Sequence, residues 1–130
     1  ASPFRLGLST LGVFPNSRSP RVLWAGLSGD LEALSALQGA VDKAMTQLGF
    51  AREDRPYAPH LTLGRVRRSV SDAARSKISS SVTAARLPTV QPWLVDEVHL
   101  FRTDLHPLGA DHTVIGSIPL GSPNATRRHL

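Results

Sequence analysis

The stretch Gly49-Phe50-Ala51-Arg52-Glu53-Asp54-Arg55-Pro56-Tyr57-Ala58-Pro59-His60-Leu61-Thr62-Leu63-Gly64-Arg65-Val66 contains the change of pattern on which the fold turns. Its first half carries four charges and two prolines with no apolar period, which is the composition of a loop. From His60 onward apolar and polar residues alternate, as in a strand with one covered face. Leu61 and Leu63 share one side of the pleat, and His60, Thr62 and Gly64 share the other. The leucines are expected to enter a core. His60 and Thr62 then stand roughly 6–7 Å apart along the strand, facing a surface or cleft that Gly64 leaves open. Arg65 alternates to the leucine face unless the strand is bulged.

Upstream of this strand, Leu31, Leu34, Leu37, Val41, Met45 and Leu48 recur at spacings of three and four, the stripe of an amphipathic helix. Ser28 or Asp30 can cap its start, and Gly49 sits where a left-handed residue ends a helix. Core packing against a sheet accounts for the stripe. Before the helix, Phe4, Leu6 and Leu8 alternate with polar or small residues. A Pro/Ser/Asn loop, 15–20, separates that strand from a second at Arg21 to Leu27. Beyond Val66 a weaker helix is expected from Ser71 to about Ala85, with Ala74, Ile78 and Val82 inward and Ser79, Ser80 and Ser81 weakening it. Two last strands, Leu94 to Thr103 and Thr113 to Leu120, flank a turn containing Pro107 and Gly109. The order β-β-α-β-α-β-β predicts an α+β domain with a largely antiparallel sheet. Residues 1–121 form that domain, and the polar segment 122–130 is expected to be a flexible tail.

The 130 residues include no cysteine, so disulfide frameworks and thiolate metal sites are excluded. No apolar run approaches the roughly 20 residues that cross a bilayer as a helix; a soluble, cytoplasmic, monomeric protein is expected. Net charge is +5, carried by thirteen Arg and only two Lys, Lys43 and Lys77. Guanidinium groups bind phosphate oxygens in a bidentate fork, which suits an anionic partner such as nucleic acid. A GC-rich genome enriches arginine equally well, so the charge permits RNA without showing it.

Among groups able to do chemistry, His60 with Thr62 is the best placed: an imidazole can donate or abstract a proton near neutral pH, and a hydroxyl on the same face can hold an anionic oxygen. His99 is expected to pack within a strand, His106 and His112 to bracket a turn, and His129 to lie in the tail. No Gly-rich phosphate loop and no Gly-x-Ser-x-Gly elbow occur. Asp96 and Glu97 are adjacent and so point to opposite faces, which disfavours a cooperating carboxylate pair. The spacing of His and acids makes no metal site, so chemistry without metal or cofactor is expected. Tyr57 and Trp24 are candidates for stacking on a base, although core or loop anchoring explains both.

The string Gly49-Phe50 followed by Arg55 to Val66 resembles the second signature of the two-histidine (2H) phosphoesterases. More narrowly, it is similar to that of the bacterial and archaeal RNA 2′,3′-cyclic phosphodiesterases, long labelled 2′-5′ RNA ligases. Three further stretches agree in order and spacing: Phe4-Arg5-Leu6 with Gly12-Val13-Phe14-Pro15, Arg21 to Gly26, and Val95 to Arg102. The resemblance implies a two-lobed fold with largely antiparallel sheets flanked by helices. It also implies hydrolysis of 2′,3′-cyclic phosphate ends of RNA or nucleotides, with possible 2′-5′ ligation in reverse. Two His-x-Thr motifs serve as acid, base and phosphate-binding groups, with no metal and no cofactor. On this basis His60 is a catalytic acid or base and Thr62 binds phosphate. Arg65 and Tyr57 are candidates for substrate binding, Arg65 through RNA phosphates, with a structural ion pair the alternative for Arg65 and an anchoring role the alternative for Tyr57. The first His-x-Thr motif has no counterpart in these 130 residues. It is expected upstream of Phe4, where a strand opens directly after Ala1, and the chain alone is expected to be impaired. The alternative reading is a non-catalytic RNA- or nucleotide-binding module of the same fold.

Overall fold

In the computed structural model, residues 1–121 are described; the expected tail, with His129, lies outside them. The strands and helices run β1 (Phe4–Phe14), β2 (Val22–Gly29), α1 (Leu31–Gln47), β3 (His60–Arg65), α2 (Asp72–Ala84), β4 (Trp93–Val95), β5 (Glu97–His106) and β6 (Gly109–Pro119). One sheet has the order β3-β2-β1-β4 and a second pairs β5 with β6. The β1–β2, β2–β3 and β5–β6 pairings are antiparallel. The class is therefore the mixed, antiparallel one that the sequence implies. By contacts the described chain divides into two compact units: Leu6–Trp93, and Ala1–Arg5 with the chain from Leu94 onward.

Two irregularities in the first sheet set which side chains share a face. In β1 the register advances three residues, Leu8 to Leu11, against two in β2, Leu27 to Ala25. One extra residue at Ser9 or Thr10 switches the apolar alternation from Phe4, Leu6, Leu8 to Leu11, Val13. All five then share the face of Leu23, Ala25 and Leu27, and Phe4, Leu6 and Ala25 are buried. The opposite face carries Gly12 and Phe14. In β3 the register passes from Thr62, opposite Trp24, to Gly64, opposite Leu23, so Leu63 is the extra residue. The expected alternation is broken there: Gly64 turns to the Leu23 face, and Arg65, opposite Val22, joins Thr62 and His60. A glycine within a strand often marks such a bulge.

Several expectations change. The single strand from Leu94 is two strands, because the Asp96 carbonyl accepts from Leu120 N–H at 2.7 Å where β5 begins its pairing with β6. The final turn tightens to Pro107-Leu108, with His106 opposite Gly109 and Gly109 at φ +146°. Leu61 and Leu63 are 44% and 58% exposed rather than buried. No residue of α1 is buried, and within its stripe only Leu34 and Leu37 reach half-burial. Periodicity fixes which residues share a helix face; covering that face requires an opposing layer, which the described residues do not supply. Asp30 occupies the N-cap of α1 without a side-chain capping bond, and the Ser28 hydroxyl donates instead to the Leu8 carbonyl at 3.3 Å. Gly49 adopts the expected left-handed φ of +98°.

α2 ends close to where the sequence places it. Ser71 caps it by accepting from Ala74 N–H at 3.2 Å. Within the serine run, Ser79 is buried and donates to the Ser17 carbonyl at 2.6 Å, tying the helix to the 15–20 loop. The Arg75 guanidinium donates to the carbonyls of Val70, Pro20, Arg67 and Arg68 at 3.2–3.5 Å. These bonds clamp the 66–71 connection against Pro20, whose side chain is fully buried. Among the described residues, no helix is long and apolar enough to cross a membrane.

Gly12 lies opposite Trp24, and a Cβ at Gly12 would fall within the Trp24 indole ring. Gly12→Ala is therefore expected to displace Trp24 and to lower stability by about 1–3 kcal/mol, the usual cost of overpacking. Urea denaturation checks this, and an unchanged midpoint would contradict the packing.

Candidate active site

The face of the first sheet opposite the buried one presents, across three strands, the rows Phe14–Val22–Arg65, Gly12–Trp24–Thr62 and Gly26–His60. A groove of about 620 Å³ opens over it, lined by Phe14, Val22, His60, Thr62 and Arg65, with Pro15, Gln38, Glu53 and Arg55 to Ala58 along its rim. All four residues selected from the sequence, His60, Thr62, Arg65 and Tyr57, line this one groove. Trp24 does not. Its half-buried indole lies against Gly12 on the same face, 5.1 Å from the Phe14 ring, which is an anchoring role.

His60 is oriented from two sides. Its Nδ1 lies 2.6 Å from the Ala58 carbonyl. A carbonyl only accepts, so Nδ1 carries the proton and Nε2 of the neutral ring keeps a free lone pair. The Phe14 ring meets the imidazole edge-on, with centroids 5.1 Å apart and planes at 87°. Imidazole rotation would break both contacts. Nε2 is thus the atom available for proton transfer to or from a group in the groove.

Thr62 faces the same way one row along β3, and the Leu63 bulge brings Arg65 into the next row. The Thr62 hydroxyl and Arg65 guanidinium have no side-chain or backbone partner among the described residues, so both retain full donor capacity for an anion. Tyr57 is partly exposed, and burial raises its phenol pKa above 10.0, so it remains a neutral hydroxyl donor through physiological pH. Arg55 at the rim is paired with Glu53 at 3.4 Å.

The sequence missed Phe14 and Val22 as groove residues. The signal for Phe14 was present: the shift of apolar parity from Leu8 to Leu11 implies the β1 bulge that turns Phe14 onto this face. The other histidines among the described residues are engaged within the β5–β6 hairpin. His99 contacts Ser117 Oγ at 2.8 Å and Glu97 at 3.4 Å, His106 contacts Asp111 at 3.4 Å, and His112 contacts Thr103 Oγ1 at 2.9 Å.

Residues 1–107 match the family described as the 2′-5′ RNA ligase superfamily. The chain belongs to that superfamily. Two relatives named RNA 2′,3′-cyclic phosphodiesterase extend the match. The protein of Methanothermobacter thermautotrophicus is 37% identical over 111 residues, covering 85% of this chain and 58% of its own length. That of Geobacillus stearothermophilus is 30% identical over 124 residues, covering 95% of this chain and 38% of its own. Among solved structures, the crystal structure of TT0787 of Thermus thermophilus superposes with a TM-score of 0.58 at 28% identity, over 94% of this chain and 63% of that one. The chain thus spans little more than half the length of one superfamily relative and well under half of the other. The resemblance read from Gly49 to Val66 is borne out at the level of family and fold.

Proposed function

We propose that this superfamily member contributes one catalytic half of an RNA 2′,3′-cyclic phosphodiesterase. The observation that carries the reading is the convergence of the His60 Nε2, the Thr62 hydroxyl and the Arg65 guanidinium on one groove, with His60 held in a single tautomer by the Ala58 carbonyl. The relatives named for this activity support it.

In the reaction a water oxygen forms a bond to phosphorus and the bond to the 2′ or 3′ oxygen breaks. A base removes the proton from water, and an acid protonates the departing oxygen. Nε2 of His60 serves one of these two transfers: as base from the neutral ring, or as acid from the protonated one. Thr62 and Arg65 donate to the non-bridging oxygens, whose negative charge grows as water attacks. Arg65 can do so with two parallel N–H groups. The Tyr57 hydroxyl and Phe14 ring border the space for the nucleoside. The second proton-transfer group is a further histidine from a second His-x-Thr motif, supplied by sequence beyond these 130 residues or by another chain.

The test is turnover of a 2′,3′-cyclic nucleotide to its monophosphate, followed by chromatography. Thr62→Val is expected to lower kcat/KM by roughly tenfold or more, since a hydrogen bond to a charged group contributes about 1.5–3 kcal/mol. Hydrolysis insensitive to Thr62→Val would remove the phosphate from this groove.

A further inference from the structure

A second groove, of about 740 Å³, is lined by Arg21, Val22, Arg65, Val66, Arg68 and Arg75. Four of its six lining residues are arginines and none is an acid. The Arg75 guanidinium donates to four backbone carbonyls and to no acid, so its charge remains uncompensated while it holds the loop that carries Arg68. Arg21, Arg65 and Arg68 make no side-chain hydrogen bond or ion pair among the described residues. Three of the described arginines outside the groove find acids: Arg52 pairs with Asp42 at 3.5 Å, Arg55 with Glu53 at 3.4 Å and Arg102 with Asp104 at 3.2 Å. Three unpaired guanidiniums around a concave surface repel one another, and a bound polyanion relieves that repulsion.

The arginine groove is continuous with the candidate active site, because Val22 and Arg65 line both. From Gly26, opposite His60, to Val22, opposite Arg65, is four residues along β2, roughly 13 Å at the usual strand rise. A cyclic phosphate seated at His60 and Thr62 therefore lies at one end of a path whose other end is the arginine cluster. A cyclic mononucleotide has one phosphate and engages one end. An RNA strand ending in a 2′,3′-cyclic phosphate has further phosphates on the 5′ side of its terminal nucleoside, and these reach the other.

We propose that Arg21 and Arg68 form a subsite for the backbone phosphates preceding the cyclic end, with Arg65 left to the cyclic phosphate itself. The assignment rests on the cyclic-phosphodiesterase reading for the direction of the strand, although the affinity it describes is measurable without turnover. Contacts to phosphate alone make the subsite indifferent to base sequence.

The test is fluorescence anisotropy with a short oligoribonucleotide bearing a 3′-terminal phosphate, with a nucleoside 3′-monophosphate as competitor, over a range of salt concentrations. The wild-type chain is expected to bind the oligonucleotide about tenfold more tightly than the monophosphate. In the double variant R21Q/R68Q that preference is expected to vanish. The slope of log affinity against log salt should then fall by about 1.4, two single-strand phosphate contacts at about 0.7 each. A control variant, R18Q/R86Q, removes two exposed arginines outside the groove. An equal fall in the control would mean diffuse attraction and would overturn the subsite, as would equal wild-type affinity for the two ligands. Circular dichroism confirms that each variant is folded. Turnover separates the two readings: an oligonucleotide with a 2′,3′-cyclic end that is held through Arg21 and Arg68 but not hydrolysed even when the second His-x-Thr half is supplied would refute the phosphodiesterase reading and leave the subsite standing. Hydrolysis by R21Q/R68Q indistinguishable from wild type on both an oligonucleotide and a mononucleotide with 2′,3′-cyclic ends would refute the subsite alone.

Discussion

Replacing His60 by alanine is expected to lower cyclic-phosphate hydrolysis by roughly a hundred- to ten-thousandfold, the range supplied by one positioned proton-transfer group. The effect falls on kcat. Affinity for the product monophosphate should change by less than about threefold, because Thr62 and Arg65 remain to hold the phosphate oxygens. The split follows from the geometry: the Nδ1 proton of His60 is committed to the Ala58 carbonyl, so the ring's free atom is a proton acceptor or donor rather than a further fixed anion ligand. Radiolabelled cyclic nucleotide allows slow turnover to be compared between the chain and the variant. Retained turnover would remove His60 from the chemistry. Loss of product affinity in step with turnover would make it a binding residue. Intact binding with no turnover before substitution, even when the second His-x-Thr half is supplied, would favour the non-catalytic module of the same fold.

The fold class and the shared face of His60 and Thr62 were legible in the sequence, and the departures from regular alternation were not, for physical reasons. Strand alternation alone separates His60 and Thr62 from Leu61 and Leu63, and the structure keeps that separation. Alternation fails at Arg65, where one extra residue at Leu63 reverses the parity. Sequence can mark such a place with a glycine, here Gly64, but cannot say that the pairing slips there. The boundaries of α2 were legible because Ser71 is a cap with a local mechanism. The bond from Ser79 to Ser17 spans 62 residues and has no local signal; the serine run read only as poor helix propensity. The strand expected from Leu94 shows the same limit. Val95 and Val98 suit one continuous strand by propensity, yet β4 and β5 pair in different sheets, which only tertiary pairing decides. For α1 the pattern was correct and its consequence was not: the stripe exists, but Leu31, Val41 and Met45 are 38–39% exposed.

The charge was ambiguous in the sequence and acquires meaning from placement. A genome's codon bias distributes arginine without regard to acids. The groove instead gathers Arg21, Arg65 and Arg68 from three segments, with no carboxylate in its lining and Arg75 bracing the connection beneath Arg68. Arg67, next in sequence to Arg68, lies outside the groove lining, so a run of basic residues does not by itself create the surface. Two residues, Val22 and Arg65, line both grooves, and the charged one, Arg65, reaches the candidate site because of the bulge that the alternation concealed.

The 130-residue chain alone is expected to turn over 2′,3′-cyclic nucleotides at least a hundredfold more slowly than the Methanothermobacter relative measured under the same conditions. Attack and departure take place on opposite sides of phosphorus, and one imidazole cannot take a proton from water on one side while giving one to the leaving oxygen on the other. His60 is the one histidine among the described residues lining the groove, and the neighbouring Tyr57, its pKa raised, is a poor base at neutral pH. Losing one of two proton transfers removes a factor of roughly 10²–10⁴. Thr62 and Arg65 still bind and polarise the phosphate, so the deficit should appear in kcat with product affinity retained. Rate against protein concentration distinguishes the source of the second group. A first-order, slow rate means one histidine acting alone, whereas a rate rising with the square of concentration means that a second copy supplies the other. A first-order rate within about tenfold of the relative would show that these residues suffice, and would overturn the assignment of this chain as one half of the catalytic pair.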